Sequence, residues 1–148
     1  METDQAPPTV ERAGVTLVEG MHFTGEADGV RVDLDAGEDA GGSGAGARPM
    51  RLLLLSLAGC TAMDVLSILR KKRQQVSGLR VDVDGQRVAH HPRVYSQIAL
   101  VYRVRGTNIN PEAVARAIEL SETRYCSVMA MINEVAAITS RYEIEEGA

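Results

Sequence analysis

Two cysteines are the residues of this 148-residue chain best suited to chemistry. Cys60 lies in Leu55-Ser56-Leu57-Ala58-Gly59-Cys60-Thr61-Ala62-Met63-Asp64-Val65. Cys126 lies in Ser121-Glu122-Thr123-Arg124-Tyr125-Cys126-Ser127-Val128-Met129-Ala130-Met131-Ile132. Both runs read as helices. Two thiols in separate helices can form a redox pair. They can equally be core residues, because free cysteine is among the most buried residue types. Two are too few for a secreted disulfide scaffold. A disulfide here would be transient and functional.

Other groups are weaker candidates. Asp64 follows Cys60 by four residues, so on a helix it sits one turn away on the same face. It can orient an arginine near the thiol, or cap or pair with a structural partner. Glu119 and Glu122 precede Cys126 and read either as a solvated helix face or as carboxylates near that thiol. His90 and His91 are neighbours on an extended chain and point to opposite sides. Without CxxC or HxxxH spacing, no metal site is expected. Met129 and Met131 read as core filling. Gly41-Gly42-Ser43-Gly44 lacks the Lys-Ser or Lys-Thr of a phosphate loop. Arg70-Lys71-Lys72-Arg73 falls where a helix should end, and cations there complement its dipole.

The length suggests a single domain, with residues 1–13 a loose tail and residues 14–148 the folded part. Apolar residues make up 45% but aromatics only 3%, so the core must come from Leu, Val, Ile, Ala and Met. The net charge of −4 argues against a nucleic-acid partner. The polar N-terminus has no apolar segment that would target it. The longest apolar stretch, Leu52 to Met63, is too short to cross a bilayer. A cytoplasmic protein with no membrane partner and no cofactor is expected.

The elements that must position the cysteines follow from pattern. Val15–Val18, Met21–Glu26 and Val30–Leu34 read as strands, with Asp28-Gly29 as a hairpin turn. Residues 35–48 are glycine-rich and read as mobile. Pro49 opens a helix running to about Gln75. Its first half is apolar all round, so Leu52–Ala62 should be buried on every side. Gly59 within it suggests close approach of another backbone. Leu79–Asp84 alternates as a strand, Asp84-Gly85 marks a turn or bend, and Val94–Arg105 is a strand with Ile98, Leu100, Tyr102 and Val104 on one face. Asn110-Pro111-Glu112 caps a helix to about Glu122. After a break at Thr123-Arg124 a last helix runs from Tyr125 to about Val135. Ile138–Ile144 closes the chain as a strand.

In that order of elements, Gly59-Cys60-Thr61-Ala62-Met63-Asp64-Val65, Lys71-Lys72-Arg73-Gln74, His91-Pro92 and Tyr125-Cys126-Ser127-Val128 resemble the OsmC/Ohr family, in its branch of small OsmC-like proteins. The resemblance runs from about Val15 to Ile144. It implies an α+β fold: N-terminal strands, a long buried central helix, a β-hairpin, two further helices and a closing strand, in an intertwined homodimer. It also implies a thiol peroxidase that reduces organic hydroperoxides and is recycled by an external dithiol. Cys60 would be the peroxidatic thiol and Cys126 the resolving one.

A buried cysteine needs a nearby cation to ionise. In the family pattern a glutamate follows the helix-opening proline or lies one position later. Here Met50 and Arg51 follow Pro49. Arg48, from the loop, or Arg51 would then supply the cation. Arg51 precedes Cys60 by nine residues, about two and a half turns, so it starts on a different helix face and Arg48 ranks first. An alternative function on the same fold is a catalytically weak protein that binds a small apolar or thiol metabolite in a pocket at the dimer interface.

Overall fold

A computed structural model describes residues 6–148. Of the expected tail, residues 1–5 lie outside the described residues, and residues 6–13 carry neither helix nor strand. The chain divides into two compact units, Met1–Leu52 and Leu53–Ala148.

In the first unit, Gly14–Glu19 (β1), His22–Ala27 (β2) and Val30–Leu34 (β3) form an antiparallel sheet in that order. Asp28 and Gly29 both take positive φ, 52° and 74°. That conformation matches the twist of flanking strands, and Asp-Gly adopts it readily. Val15, Leu17, Val18, Val30 and Val32 are exposed on this sheet.

The glycine-rich segment is folded rather than a mobile linker. It closes around the buried Asp35 carboxylate, which accepts from the N–H of Ala36 (2.8 Å), Ser43 (3.1 Å) and Ala45 (3.0 Å) and from Ser43 Oγ (3.1 Å). A Cβ on Gly42 would sit 1.7 Å from the Ala36 carbonyl oxygen, so only glycine lets the chain fold back here. The Ala45 N–H first, then those of Ser43 and Ala36, hold the Asp35 carboxyl below the usual carboxylate range. Its contribution is therefore present at neutral pH and is lost as the pH falls through the lowered value. Asp35→Ala is expected to make this loop the first point of cleavage in limited proteolysis. Acid should do the same to the unmodified chain, and an uncut loop in both cases would show that Asp35 does not hold it.

The central helix, Pro49–Lys71 (α1), opens on its proline and ends with Arg70 and Lys71 in its last turn. Arg73 then takes a φ of 59° and the chain leaves for the next strand. The helix stops short of the expected Gln75 because Gln75 already pairs with Thr107. All-round burial of Leu52–Ala62 is met on one face only in the single chain. Leu57, Ala58, Thr61, Val65 and Leu69 are buried, while Leu55 is 60% and Met63 73% exposed. Burying Leu57 and Leu69 contributes roughly 1.5–3 kcal/mol each. Gly59 faces open space, since a Cβ there would meet nothing within 4 Å, so among the described residues no other backbone approaches it. At 23 residues the helix is long and apolar enough to cross a bilayer, contrary to the shorter stretch read from sequence. Its buried face nevertheless belongs to a folded core.

That core lies on the second sheet: Gln75–Arg87 (β4), Tyr95–Thr107 (β5) and Ala137–Glu146 (β6), in order β4-β5-β6. β4 pairs antiparallel with β5, and β6 parallel with it. Ile98, Leu100, Tyr102 and Val104 alternate into the core as the sequence indicates. Asp84-Gly85 is no turn. The strand runs through it, with Gly85 paired to Ile98. A Cβ on Gly85 would lie 2.7 Å from the Tyr95 ring, so the glycine makes room for an aromatic rather than reversing the chain.

The parallel crossover from β5 to β6 contains Pro111–Leu120 (α2), a π turn at Ser121–Tyr125, and Ser127–Ile132 (α3). Asn110 caps α2, accepting from the Glu112 N–H at 3.0 Å. The expected break at Thr123-Arg124 is the π turn. Helix α3 starts later than Tyr125, because Cys126 has extended backbone (φ −74°, ψ 105°) and serves as its cap.

Candidate redox site

Cys60 projects from the middle of α1, and Asp64 one turn further on. Cys126 arrives from the crossover, at the cap of α3. The two sulfurs and a carboxylate oxygen of Asp64 all lie within 4.8 Å of one another. Both cysteines are free thiols. A disulfide requires sulfurs about 2.05 Å apart, so closure needs only a local shift of side chain and cap.

The two thiols sit in different surroundings. Cys60 is half-buried, whereas Cys126 is 3% exposed. Cys126 Sγ accepts from the Met129 N–H at 3.3 Å. Burial pushes the Cys126 thiol well above the ordinary thiol range, and its hydrogen bond with Cys60 raises it further. Thiolate is the reactive form. Alkylation of the reduced protein at neutral pH is therefore expected to modify Cys60 first and leave Cys126 largely intact. Peptide mass mapping after a short iodoacetamide pulse checks this, and preferential loss of Cys126 would contradict it.

Behind the thiols runs a buried polar row that the sequence reading missed. Asp64 Oδ2 and Ser121 Oγ are 3.0 Å apart. Ser121 Oγ and Thr61 Oγ1 are 2.8 Å apart, as are Thr61 Oγ1 and the Tyr102 hydroxyl. Tyr102 in turn meets Glu122 Oε1 at 2.9 Å, and Ser140 Oγ donates to Glu122 Oε2 at 3.2 Å. Thr61, Tyr102 and Ser121 are fully buried. A signal was available: Thr61 in an apolar helix and Tyr102 on the core face of a strand each carry a polar atom that burial obliges to find a partner.

Of the residues singled out from sequence, Cys60, Asp64 and Cys126 come together. Asp64 touches Ser121 rather than an arginine. Glu122 joins the buried row, while Glu119 pairs with Arg116 at 3.2 Å on the surface. Arg48 and Arg51 belong to the first unit. Arg48 packs its guanidinium over Gly37, whose Cβ, if present, would lie 3.0 Å from Arg48 Cζ. Arg51 is exposed in the first turn of α1. Neither forms an ion pair among the described residues. Two thiols and a carboxylate are also donors that zinc accepts. Ligand spacing along the chain cannot report such a set, because its members meet only in the fold.

The chain thus pairs two thiols from separate helical segments of a two-sheet α+β protein. It belongs to the OsmC family: the sequence model of OsmC-like proteins matches residues 41–141. It is 40% identical to Protein YhfA of Escherichia coli (strain K12) over 135 residues, covering 90% of this chain and 97% of that one. Its fold is similar to the crystal structure of a hypothetical protein from Aquifex aeolicus VF5, with a TM-score of 0.86 at 27% identity over 95% of this chain and 100% of that one. It is also similar in fold to the organic hydroperoxide resistance protein OsmC of Legionella pneumophila. That match has a TM-score of 0.69 at 14% identity, over 93% of this chain and 99% of the other.

Proposed function

We propose that the protein is a thiol-dependent peroxidase that reduces organic hydroperoxides through Cys60 and Cys126. The observation that carries this reading is the approach of the two sulfurs to within 4.8 Å beside a carboxylate. That the Legionella pneumophila protein is an organic hydroperoxide resistance protein supports the substrate class. In the first step the Cys60 thiolate attacks the outer peroxide oxygen. An S–O bond forms, the O–O bond breaks, and the departing alkoxide takes a proton to leave as an alcohol. Cys60 is now a sulfenic acid. In the second step Cys126 displaces its oxygen as water and a disulfide forms. An external dithiol then restores both thiols by exchange.

Arg48, and after it Arg51, is our choice for the cation that assists Cys60 in its attack on the peroxide. A homodimer would cover the exposed leucine, methionine and valine side chains of α1 and the first sheet. Because the disulfide is transient, the cycle suits the cytoplasm. The test is consumption of cumene hydroperoxide by the purified chain with dithiothreitol as reductant. Running Arg48→Ala and Arg51→Ala in the same assay ranks the two arginines.

The second reading, a protein that binds a small apolar or thiol metabolite with negligible turnover, is favoured by Met50 standing where the family pattern has a carboxylate. Absence of peroxide consumption by fully reduced protein would select it.

A further inference from the structure

The thiol pair and the carboxylate beside it form a second kind of site. Cys60, Asp64 and Cys126 all belong to the second unit. Cys60 and Asp64 stand four residues apart on α1, the spacing by which helical metal motifs put two ligands on one face. Cys126 comes from the crossover and is only 3% exposed, so the set is no surface cluster of acidic side chains. The two sulfurs and a carboxylate oxygen lie within 4.8 Å of one another, and the thiols hydrogen-bond to each other with no side chain between them. Around tetrahedral zinc, with bonds of about 2.3 Å to sulfur and about 2.0–2.2 Å to oxygen, ligand atoms stand roughly 3.5–3.8 Å apart. Closing on an ion therefore needs a contraction of about 1 Å. Partners already hold two of the three ligands. Buried Ser121 donates from Oγ to Asp64 Oδ2 at 3.0 Å, and the Met129 N–H donates to Cys126 Sγ at 3.3 Å. Outer contacts of this kind orient ligating groups.

We infer that Cys60, Asp64 and Cys126 bind a zinc ion when both thiols are reduced. The site shares its sulfurs with the redox pair but does not rest on the peroxidase reading. The donor set selects the ion. Thiolates favour zinc, copper(I) and iron, whereas a carboxylate is a hard donor that copper(I) does not seek. Magnesium and calcium take oxygen ligands. Zinc accepts both types together. Three protein ligands leave a fourth position for water, and half-buried Cys60 and Asp64 give solvent access to it. On binding, each thiol exchanges its proton for the metal. Two S–H bonds break, two Zn–S bonds form, and two protons pass to solvent. The ion and the Cys60–Cys126 disulfide exclude each other, because both use the same two sulfurs. A zinc-loaded chain is thus a resting form that cannot close its disulfide until the ion leaves.

Titration of the reduced full-length chain with zinc, against a chromogenic chelator, should show one ion held per chain. Cobalt(II), used as a visible probe, should give a sulfur-to-cobalt charge-transfer band and the intense visible bands of four-coordinate cobalt. Cys60→Ser and Cys126→Ser should each roughly halve the charge-transfer band and lower zinc affinity by at least about a hundredfold, the most that losing an outer partner usually costs. Asp64→Asn should lower zinc affinity by at least about tenfold and leave the charge-transfer band in place. A chain first oxidised with diamide, which takes two electrons and two protons from the thiol pair, should bind no zinc. That arm needs no substitution, so it separates loss of ligands from loss of fold. Absence of bound zinc in the reduced chain, zinc binding that survives oxidation, or the weak spectrum of six-coordinate cobalt overturns the proposal. Unchanged affinity in Asp64→Asn overturns the three-ligand assignment. Zinc binding without peroxide consumption removes the peroxidase reading and keeps the metal site. Peroxide consumption without zinc binding does the reverse.

Discussion

Cys60→Ser is expected to reduce hydroperoxide consumption by at least on the order of a thousandfold, because removing a nucleophile eliminates the covalent route rather than weakening it. Cys126→Ser should behave differently. Its Cys60 still attacks peroxide, but the sulfenic acid then has no neighbouring thiol. It should accumulate, react with a dimedone probe, and proceed to sulfinic acid under excess peroxide. Mass spectrometry of the two variants after a peroxide pulse distinguishes these fates. Equal activity in all three proteins would show that neither thiol takes part. A Cys126→Ser chain that forms no sulfenic acid would reverse the assignment of roles.

The second large effect is on stability. Leu69→Ala should cost about 3 kcal/mol, within the range for emptying a fully buried leucine site. Leu69 has no exposed surface, and its neighbours on the helix face are equally enclosed. Leu55, on the same helix but 60% exposed, offers an internal control. In a lone chain Leu55→Ala should cost under about 0.5 kcal/mol, as surface changes usually do. If a second copy covers that face, Leu55→Ala should cost several times more, and the loss should depend on protein concentration. Urea denaturation at two concentrations reads both numbers.

Local rules made much of the fold legible. Asp28-Gly29 made the hairpin between β2 and β3 because both residues tolerate positive φ. Asn110-Pro111-Glu112 started α2 because cap, fixed φ and first-turn acid all agreed. Alternation on β5 identified the core face of Ile98, Leu100, Tyr102 and Val104. Other signals were overridden by contacts distant in sequence. Gly85 looked like a turn, but the Tyr95 ring needs its missing side chain. Residues 35–48 looked loose, yet one carboxylate at Asp35 gathers the loop. Cys126 looked helical, yet its sulfur caps the helix instead.

The site was legible in part for the same reason. Cys60, Asp64 and Cys126 were recognisable as chemical types, and the family resemblance paired the two thiols. The row through Thr61, Ser121 and Tyr102 was hidden, because each member looks like an ordinary core or helix residue. Only their meeting across α1, β5 and the π turn gives them a shared role.

The parallel pairing of β5 with β6 makes the site a late product of assembly. Gln97 pairs with Ala137, so everything between them must be in place before the third strand can dock. Contacts this distant in sequence form only after the intervening chain has given up its freedom. Cys60 is synthesised long before Cys126 and then waits for a partner that arrives with the crossover. Ser140, which holds the outer end of the polar row, comes later still. On the ribosome the first thiol is therefore made without its resolving partner, and the paired chemistry becomes available only once the last strand has been added.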